Sequence, residues 1–584
     1  MNWDFPVEPQ PGLNGATMQW PRGKVLGGSS AINGLYLTRP GEIETNAWHT
    51  LLGDIDGADN WTWESQYAAM KKAETFTPPS AAIAREGGIT YDASSRGTSG
   101  PLQVTYPGFT DILNGDWSPA NTAAGNPATN DAYGGENWGA FICTSSIDPA
   151  TWTRSYSKSA YLDTINPPRD NYQVLTNALV TKINFDTSST PLKAISVEYS
   201  PDGGTTKKTV KVTKDVVVSG GSIGSPAILQ HSGIGPKDVL SKAGVKMLYE
   251  LPGVGQHLMD HASTQMEWDT SIPTVGDQAD TLDSPEFLSF VNDAVAFPGS
   301  DILFGSSADA QKNSILSNYQ QYAPSDSKVN AGYEAVVKAQ ANTIWPSKTG
   351  QVELLMALTQ TNSSVALQVT LQHPYSQGSV NIQSSDPTDY PSINPNYMQN
   401  PADIEIMTAG LKFMREVGNS GALGTALSEI SPGTDTQTDA EWEKFIRGNL
   451  YTEFHPSSTC SMLPEDMGGV VDGNLLVYGT ANVRVADASV PPLEPSSHLM
   501  GGTYGLAEKA SEIIIEQWQT NAKQQNNNND DGSVEASSKA RVRGGGRGRG
   551  GAGGGAENSS PSLAASLAPI ISAVVAVVAC ITFG

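Results

Sequence analysis

Two histidines in the C-terminal part of the chain have the residue type and placement of a proton-transfer pair. His455 lies in the segment EFHPSSTCSM, and His498 lies in SSHLMG, with the strand-like residues 483–486 between them. This order allows both side chains to reach one pocket. Imidazole is the side chain best suited to take a proton near neutral pH. The competing interpretation, a satisfied core or surface residue, applies to three other histidines: His49, His231 and His373.

A second histidine pair, His257 and His261 in HLMDH, has the i,i+4 spacing that metal-binding helices use. No third ligand is evident, and the preceding LPGVGQ is typical of a loop. We therefore predict no metal site.

A glycine-rich segment near the N-terminus, GKVLGGSSAING at residues 23–34, has the composition of a cofactor cradle. Gly27 and Gly28 allow the backbone to approach a bulky ligand closely. Ser29 and Asn33 add hydroxyl and amide groups, so the loop can surround a pyrophosphate or a cofactor ring. The alternative is an ordinary glycine-rich turn without a ligand.

A second glycine-rich segment, residues 215–235, reads as strand, turn and helix. That arrangement places ligands at the carboxyl ends of strands, although a turn without a ligand has the same pattern. Elsewhere the chain alternates strand and helix signals. The predicted strands are 174–185, 194–199 and 209–218, with a hairpin turn at 202–204, and the predicted helices are 401–417, capped by Asn400, and 503–518.

Composition excludes several classes of protein. The chain has 584 residues and a formal net charge of −25, which argues against nucleic acid or an anionic membrane surface as the main partner. Its length predicts three or four units of ~150 residues. Three cysteines, Cys143, Cys460 and Cys580, cannot form a disulfide framework, and we expect no disulfide.

The C-terminal end has the pattern of a cell-surface anchor. Residues 561–584 carry no charge, and small residues stand at 558–560, so we predict a GPI-anchor signal; a tail-anchored helix or a translation artefact are the alternatives. Residues 521–560, with Arg-Gly repeats, are predicted to be a low-complexity linker rather than an RNA-binding segment.

The sequons at Asn60, Asn362 and Asn558 agree with secretion. The first residues have no signal-peptide pattern, so we expect that the natural N-terminus is missing.

Several ordered motifs together resemble the glucose–methanol–choline (GMC) oxidoreductase family of flavoenzymes. GKVLGGSSAINGLYLTRP and GSIGSPAILQHSGIGP resemble the two family signatures, and HPYSQGSVNIQSSDPTDYPSINPNY resembles the start of the C-terminal region. TCSMLPEDMGGVVD and SSHLMGGTYGLAEKAS are most similar to the glucose oxidase branch. The resemblance spans nearly all of residues 17–518.

The resemblance implies FAD as the cofactor and a role for each matching residue. His455 would remove the hydroxyl proton of the substrate, and His498 would hydrogen-bond the same oxygen. The cofactor-binding residues would be Gly27, Gly28, Ser29, Asn33 and Gly34 along the flavin and pyrophosphate, Val180 at the adenine, and Asp487 and Met500 near the ribityl chain and flavin ring.

The implied fold is α/β (α+β): a Rossmann-like FAD-binding domain and a substrate-binding domain on an antiparallel sheet. The predicted boundaries are 1–262 for the FAD domain, 263–450 for the substrate domain, 451–520 for the return to the FAD domain, 521–560 for the linker and 561–584 for the anchor signal. The family's first strand and GxGxxG turn normally precede the first signature, which here begins at Gly23. We therefore expect the FAD domain to be incomplete at its N-terminus.

The implied reaction is oxidation of an alcohol or sugar CH–OH group, with O2 as acceptor giving H2O2. A positive charge near the flavin, such as a protonated His455, would favour the oxygen step. Two alternatives keep the same fold: a flavin-free surface protein without activity, and a lyase acting on cyanohydrins. The expected location is extracellular, at the cell surface, with membrane contact only through the anchor.

Overall fold

The computed structural model describes residues 1–165, 167–540 and 575–577; of residues 522, 524–540 and 575–577 it describes the backbone course only. Helices and strands alternate along the chain. The α-helices are Glu42–Leu52, Trp63–Ala73, Ala81–Glu86, Ile112–Ala124, Gly221–His231, Lys237–Lys242, Val275–Gln278, Pro285–Leu288, Ser300–Phe304, Ala308–Asn318, Ser327–Ala339, Pro401–Gly418, Leu423–Ala426, Asp439–Asn449 and Leu499–Ala540.

A seven-stranded antiparallel sheet forms the largest core. In spatial order its strands are Leu427–Ser431, Ala262–Thr270, Ser364–Leu371, Val352–Ala357, Ala294–Phe297 and Gly139–Ile142, with Tyr451–Thr452 paired to Ala262–Thr270 off this path. Every residue of Val352–Ala357 is buried, and helix Pro401–Gly418 covers one face of the sheet. Helix and sheet approach so closely that a Cβ on Gly410 would lie 2.7 Å from Val369 Cγ1.

A three-stranded parallel sheet and a three-stranded antiparallel sheet form the second core. Val216–Val218 pairs in parallel with Val483–Val485 and with Val575–Val577. Leu179–Asp186, Lys193–Ser200 and Lys208–Lys211 form the antiparallel sheet. The remaining strands form two-stranded pairs: Phe5–Pro6 with Gln19–Trp20, Tyr36–Leu37 with Thr144–Ser145, Glu74–Phe76 with Leu102–Val104, Ile147–Asp148 with Thr153–Arg154, Ile234–Gly235 with Tyr249–Glu250, and Ser379–Asn381 with Ser392–Asn394.

The predicted strand 209–218 is wrong as one element, because it divides into two strands of different sheets. Lys208–Lys211 is exposed and pairs with Ser196–Tyr199 across the predicted turn at 202–204. Val216–Val218 is fully buried in the parallel sheet. The polar residues 213–215 separate the two, and Asp215 forms an ion pair with Arg484 of the neighbouring strand.

The predicted helix 401–417 is confirmed: it spans Pro401–Gly418, and the Asn400 side chain caps it by accepting a hydrogen bond from Ala402 N. The predicted helix 503–518 is longer than expected, because it begins at Leu499 and continues to Ala540. No proline interrupts it, so part of the predicted linker is helical. Its apolar residues Leu506, Ala510 and Ile513 are buried, and Ile514 is half-buried.

The predicted fold class is confirmed, whereas the domain boundaries remain a prediction. Apart from residues 575–577, the segment 541–584 lies outside the described residues, and with it Cys580, Asn558 and most of the predicted anchor signal. No helix in the described part of the chain is long and apolar enough to cross a membrane. Cys143 and Cys460 are buried free thiols.

Candidate active site

All ten residues predicted to bind cofactor or to act in catalysis line one cavity of about 1000 Å³. The glycine-rich loop forms one wall, the ends of the parallel strands form another, and the two predicted catalytic histidines lie on a third. The ten residues are Gly27, Gly28, Ser29, Asn33, Gly34, Val180, His455, Asp487, His498 and Met500.

The glycine-rich loop adopts a conformation that only glycine accommodates easily. Gly27 has φ +102° and Gly28 has φ +55°, in the left-handed region. A Cβ on Gly27 would lie 2.6 Å from the Tyr156 ring, and one on Gly23 would lie 2.1 Å from the Gly28 carbonyl oxygen. The loop is therefore folded tightly on itself beside the cavity.

Asn33 ties this loop to the start of the C-terminal helix. Its amide nitrogen lies 3.1 Å from Met500 Sδ, and its Oδ1 accepts hydrogen bonds from Arg154 Nη1 at 2.6 Å and from Leu35 N at 3.2 Å. The polar contacts of Asn33 thus join the glycine-rich loop to the C-terminal helix at the cavity wall, although the two are far apart in the sequence.

Asp487 links the carboxyl ends of two neighbouring parallel strands, Val216–Val218 and Val483–Val485. Its Oδ2 accepts from Gly221 N at 2.8 Å and from Ser225 Oγ at 2.5 Å, and its Oδ1 accepts from Ser489 N at 2.8 Å. Val180, near the start of strand Leu179–Asp186, is half-buried at the cavity edge. The carboxyl ends of the parallel strands, next to Asp487, are the edge at which dinucleotides bind in such sheets.

The residues present fit a dinucleotide such as FAD. The cavity volume is at the upper end of the ~300–1000 Å³ range of ligand pockets. One wall is the glycine-rich loop, where a side chain in place of glycine would block the close approach of a ligand. The cavity extends from Val180 to His455 and His498. The sequence prediction of FAD and this shape agree.

The rings of His455 and His498 are neighbours, with centroids 4.9 Å apart and planes at 88°. Tyr36 stacks on His498, with ring centroids 4.3 Å apart and planes at 8°. Stacking on one side and the second imidazole at its edge restrict how His498 can rotate. Two histidines that are remote in sequence therefore meet at one end of the cavity.

The surroundings shift the pKa values of the two histidines in opposite directions. Burial, and then the proximity of His498 and His261, lower the pKa of His455 well below its usual value. Burial disfavours the charged form of His498 as well, but the Glu353 carboxylate, 2.9 Å from His498 Nε2, and then the nearby Glu453 carboxyl outweigh burial and raise the pKa of His498. Such a pair is typical of a site with one base and one charged donor.

Asp260 holds the loop that carries His455. Its Oδ1 accepts from His455 N at 2.7 Å, and its Oδ2 accepts from Thr452 Oγ1 at 2.6 Å and from the Tyr397 hydroxyl. Burial raises the pKa of Asp260 to about 6. These bonds support a strained backbone, because Phe454 has φ +61°.

His257 and His261 do not share a ligand, although their spacing suggested one. His257 Nδ1 lies 2.9 Å from Gln377 Oε1, and His261 Nδ1 lies 3.0 Å from His455 Nδ1. Within residues 1–165, 167–540 and 575–577, no group of three or more metal-ligating side chains converges.

Sequence reasoning missed three residues that surround the histidine pair: Glu353, Tyr36 and His261. Glu353 is a carboxylate in the otherwise apolar strand Val352–Ala357, and a charge in a buried strand is a signal of function. Tyr36 follows the glycine-rich loop directly. The spacing of His261 from His257 indicates only a metal ligand and gives no sign of its contact with His455.

Gly27→Ala is expected to weaken FAD binding by about 5–150-fold, the equivalent of ~1–3 kcal/mol. The added methyl group meets the Tyr156 ring at the cavity wall. Gly244→Ala is the matched control: Gly244 also has a positive φ, +72°, but has open space around its Cβ and does not line the cavity. FAD titration by flavin fluorescence checks the pair, and equal affinities of the two variants would contradict the assignment of this loop.

Comparison with known proteins identifies the family. Residues 10–263 and 374–507 match the N-terminal and C-terminal parts of the GMC oxidoreductase family. The chain is 41% identical over 523 residues to the GMC oxidoreductase family protein Mala s 12 of Malassezia sympodialis, covering 88% of this chain and 83% of the relative. It is 31% identical over 534 residues to glucose oxidase of Penicillium chrysogenum, covering 88% of this chain and 82% of that enzyme.

Solved structures agree with the sequence comparison. An FAD-dependent oxidoreductase from Chaetomium thermophilum superposes with a TM-score of 0.83 at 29% identity, covering 89% of this chain and 90% of that one. A fungal aryl-alcohol oxidase superposes with a TM-score of 0.80 at 28% identity, with the same coverage. The chain therefore belongs to the GMC oxidoreductase family and is an FAD-dependent oxidoreductase.

Proposed function

We propose that the protein oxidises a CH–OH group of an alcohol or sugar, with His455 as the base and His498 as a charged hydrogen-bond donor to the same oxygen. The observation that carries the proposal is the adjacency of two imidazoles whose pKa values are shifted in opposite directions. Glucose oxidase and aryl-alcohol oxidase among the similar proteins support this substrate class.

The two histidines have different roles toward the substrate oxygen in this proposal. An alkoxide is a far better hydride donor than an alcohol, so removing the hydroxyl proton activates the carbon. His455, uncharged because of its lowered pKa, is the group that takes this proton. His498, whose charged form the Glu353 carboxylate favours, stabilises the negative charge that develops on the oxygen. Bound FAD supplies the acceptor for the hydride.

We propose O2 as the final acceptor, with H2O2 as the product. The sequence suggested a protonated His455 as the positive charge that favours this step. The lowered pKa of His455 does not suit that role, whereas the raised pKa of His498 does. His498 is therefore our candidate for the charge that attracts electrons to oxygen.

An anaerobic mixing experiment with FAD-loaded protein tests the proposed function. A panel of aryl, aliphatic and sugar alcohols is expected to bleach the flavin absorbance with at least one member, and admitting O2 is expected to restore it with one H2O2 per cycle. Protein that binds no FAD, or that cleaves cyanohydrins while no alcohol bleaches the flavin, would contradict the proposal.

We propose an extracellular location with glycans at one of the two sequons within the described residues. Asn362 is exposed at the turn between Val352–Ala357 and Ser364–Leu371. Asn60 is half-buried, and its Nδ2 is directed at the Gly473 carbonyl. On secretion from a eukaryotic host, Asn362→Gln is expected to remove one glycan and Asn60→Gln none, as measured by mass spectrometry. The opposite pattern, or no glycan at all, would contradict this.

A further inference from the structure

His261 forms a chain of hydrogen bonds that ends on His455. The Nδ1 atoms of the two rings are 3.0 Å apart, and the ring planes are nearly perpendicular. On its other side, His261 Nε2 lies 3.1 Å from the backbone carbonyl oxygen of Gln372. His261 is completely buried, with 0% of its surface exposed.

The carbonyl fixes which nitrogen of His261 carries a proton. A carbonyl oxygen only accepts hydrogen bonds, so His261 Nε2 must be the protonated nitrogen. In a neutral ring, Nδ1 is then an acceptor. The hydrogen between the two Nδ1 atoms therefore belongs to His455.

We infer that His261 is a positioning residue that holds His455 in the tautomer with its proton on Nδ1 and with Nε2 bare. This inference rests on the proposed function, because a bare Nε2 is what a base facing the cavity requires. His455 Nε2 has no hydrogen-bond partner within the described ranges, and the His455 side chain lines the cavity. The opposite tautomer would present an N–H to the substrate hydroxyl and could not take its proton.

The surroundings keep His261 neutral, as this arrangement requires. Burial, and then the proximity of His498 and His373, lower the pKa of His261 to about 3. The carboxyl of Glu494 lies 3.8 Å from His261 Nε2, too far for a hydrogen bond. Burial raises the pKa of Glu494 well above its usual range, which favours the uncharged form of this carboxyl.

The inference is tested by two variants at one position in the FAD-loaded enzyme. His261→Ala removes the acceptor, and the rate constant for flavin reduction is expected to fall by about 10²-fold or more, since a wrong tautomer costs a catalytic histidine ~10⁴-fold. His261→Asn places Oδ1 near the former Nδ1 and can accept from His455. We expect it to recover most of the lost rate, while equal rates for the two variants, or a wild-type rate for His261→Ala, would overturn the inference.

A spectroscopic readout separates this inference from the function itself. In protein labelled with ¹⁵N-histidine, the His455 signals are assigned by their loss in His455→Ala. We expect a protonated-type shift for Nδ1 and a bare-type shift for Nε2 in the wild type, and a mixture of tautomers in His261→Ala. A protonated Nε2 in the wild type would overturn the tautomer assignment, whereas full activity of His455→Ala would overturn the proposed function.

Discussion

Replacing His455 with alanine is expected to lower the rate constant for flavin reduction by alcohol about 10²–10⁴-fold. The variant loses the group that we propose takes the hydroxyl proton, while the residues predicted to hold FAD remain. FAD content is therefore expected to stay at the wild-type level. Anaerobic stopped-flow absorbance measures the rate, and the flavin spectrum of the purified variant measures the FAD content.

His257→Asn is the matched control for this experiment. His257 is also a buried histidine, but it does not line the cavity, and asparagine tolerates its backbone φ of +59°. We expect an unchanged rate of flavin reduction. A wild-type rate in His455→Ala, or an equal loss in both variants, would contradict the role of His455 as the base.

Replacing Glu353 with glutamine is expected to slow flavin reduction and to shift its dependence on pH. The carboxylate lies 2.9 Å from His498 Nε2 and raises the pKa of His498 above the usual value for a histidine. The charged form of His498 is present below that raised pKa and is lost as the pH rises through it. Without the negative partner the pKa of His498 falls, so the basic limb of the profile moves to lower pH.

The wild-type profile has a second limb of opposite sign. The pKa of His455 lies well below 6.5, so His455 is protonated only at acidic pH. The proposed base is therefore uncharged, and able to take a proton, at pH values above its own pKa. Flavin reduction is therefore expected to be fastest between the two pKa values. A loss of about 10²–10³-fold in Glu353→Gln corresponds to the loss of one charge-stabilising donor.

Glu267→Gln is the control for the Glu353 variant. Glu267 lies on strand Ala262–Thr270 of the same sheet and does not line the cavity. Its substitution is expected to leave both limbs of the profile in place. An unchanged basic limb in Glu353→Gln would contradict the assignment of that limb to His498.

The sequence predicts a helix well where its cap and its apolar face are formed by residues in or next to the helix itself. Helix Pro401–Gly418 has its cap, its first-turn proline and its apolar face within its own residues. The C-terminal helix begins at Leu499, before the predicted start at residue 503. The sequence predicts the later start because Gly501 and Gly502 disfavour a helix. Tertiary contact overrides that preference: a Cβ on Gly501 would lie 2.2 Å from the Thr38 carbonyl oxygen, so the close approach needs glycine there.

Side-chain contacts between residues that are far apart in the chain could not be predicted from a single sequence. Motifs were enough to select His455 and His498, but the partners that tune them are remote: Glu353 is 145 positions from His498, and His261 is 194 positions from His455. The antiparallel pairing of Ala262–Ser263 with Tyr451–Thr452 brings the second of these contacts together. No local periodicity encodes that pairing.

The most direct test of the two-histidine mechanism is a crystal structure of the FAD-loaded enzyme with an unreactive alcohol analogue bound. We expect the analogue's hydroxyl oxygen to lie about 2.6–3.2 Å from His455 Nε2 and from a ring nitrogen of His498. A hydroxyl bound to neither imidazole, or a flavin ring outside the cavity bounded by the two histidines, would contradict it.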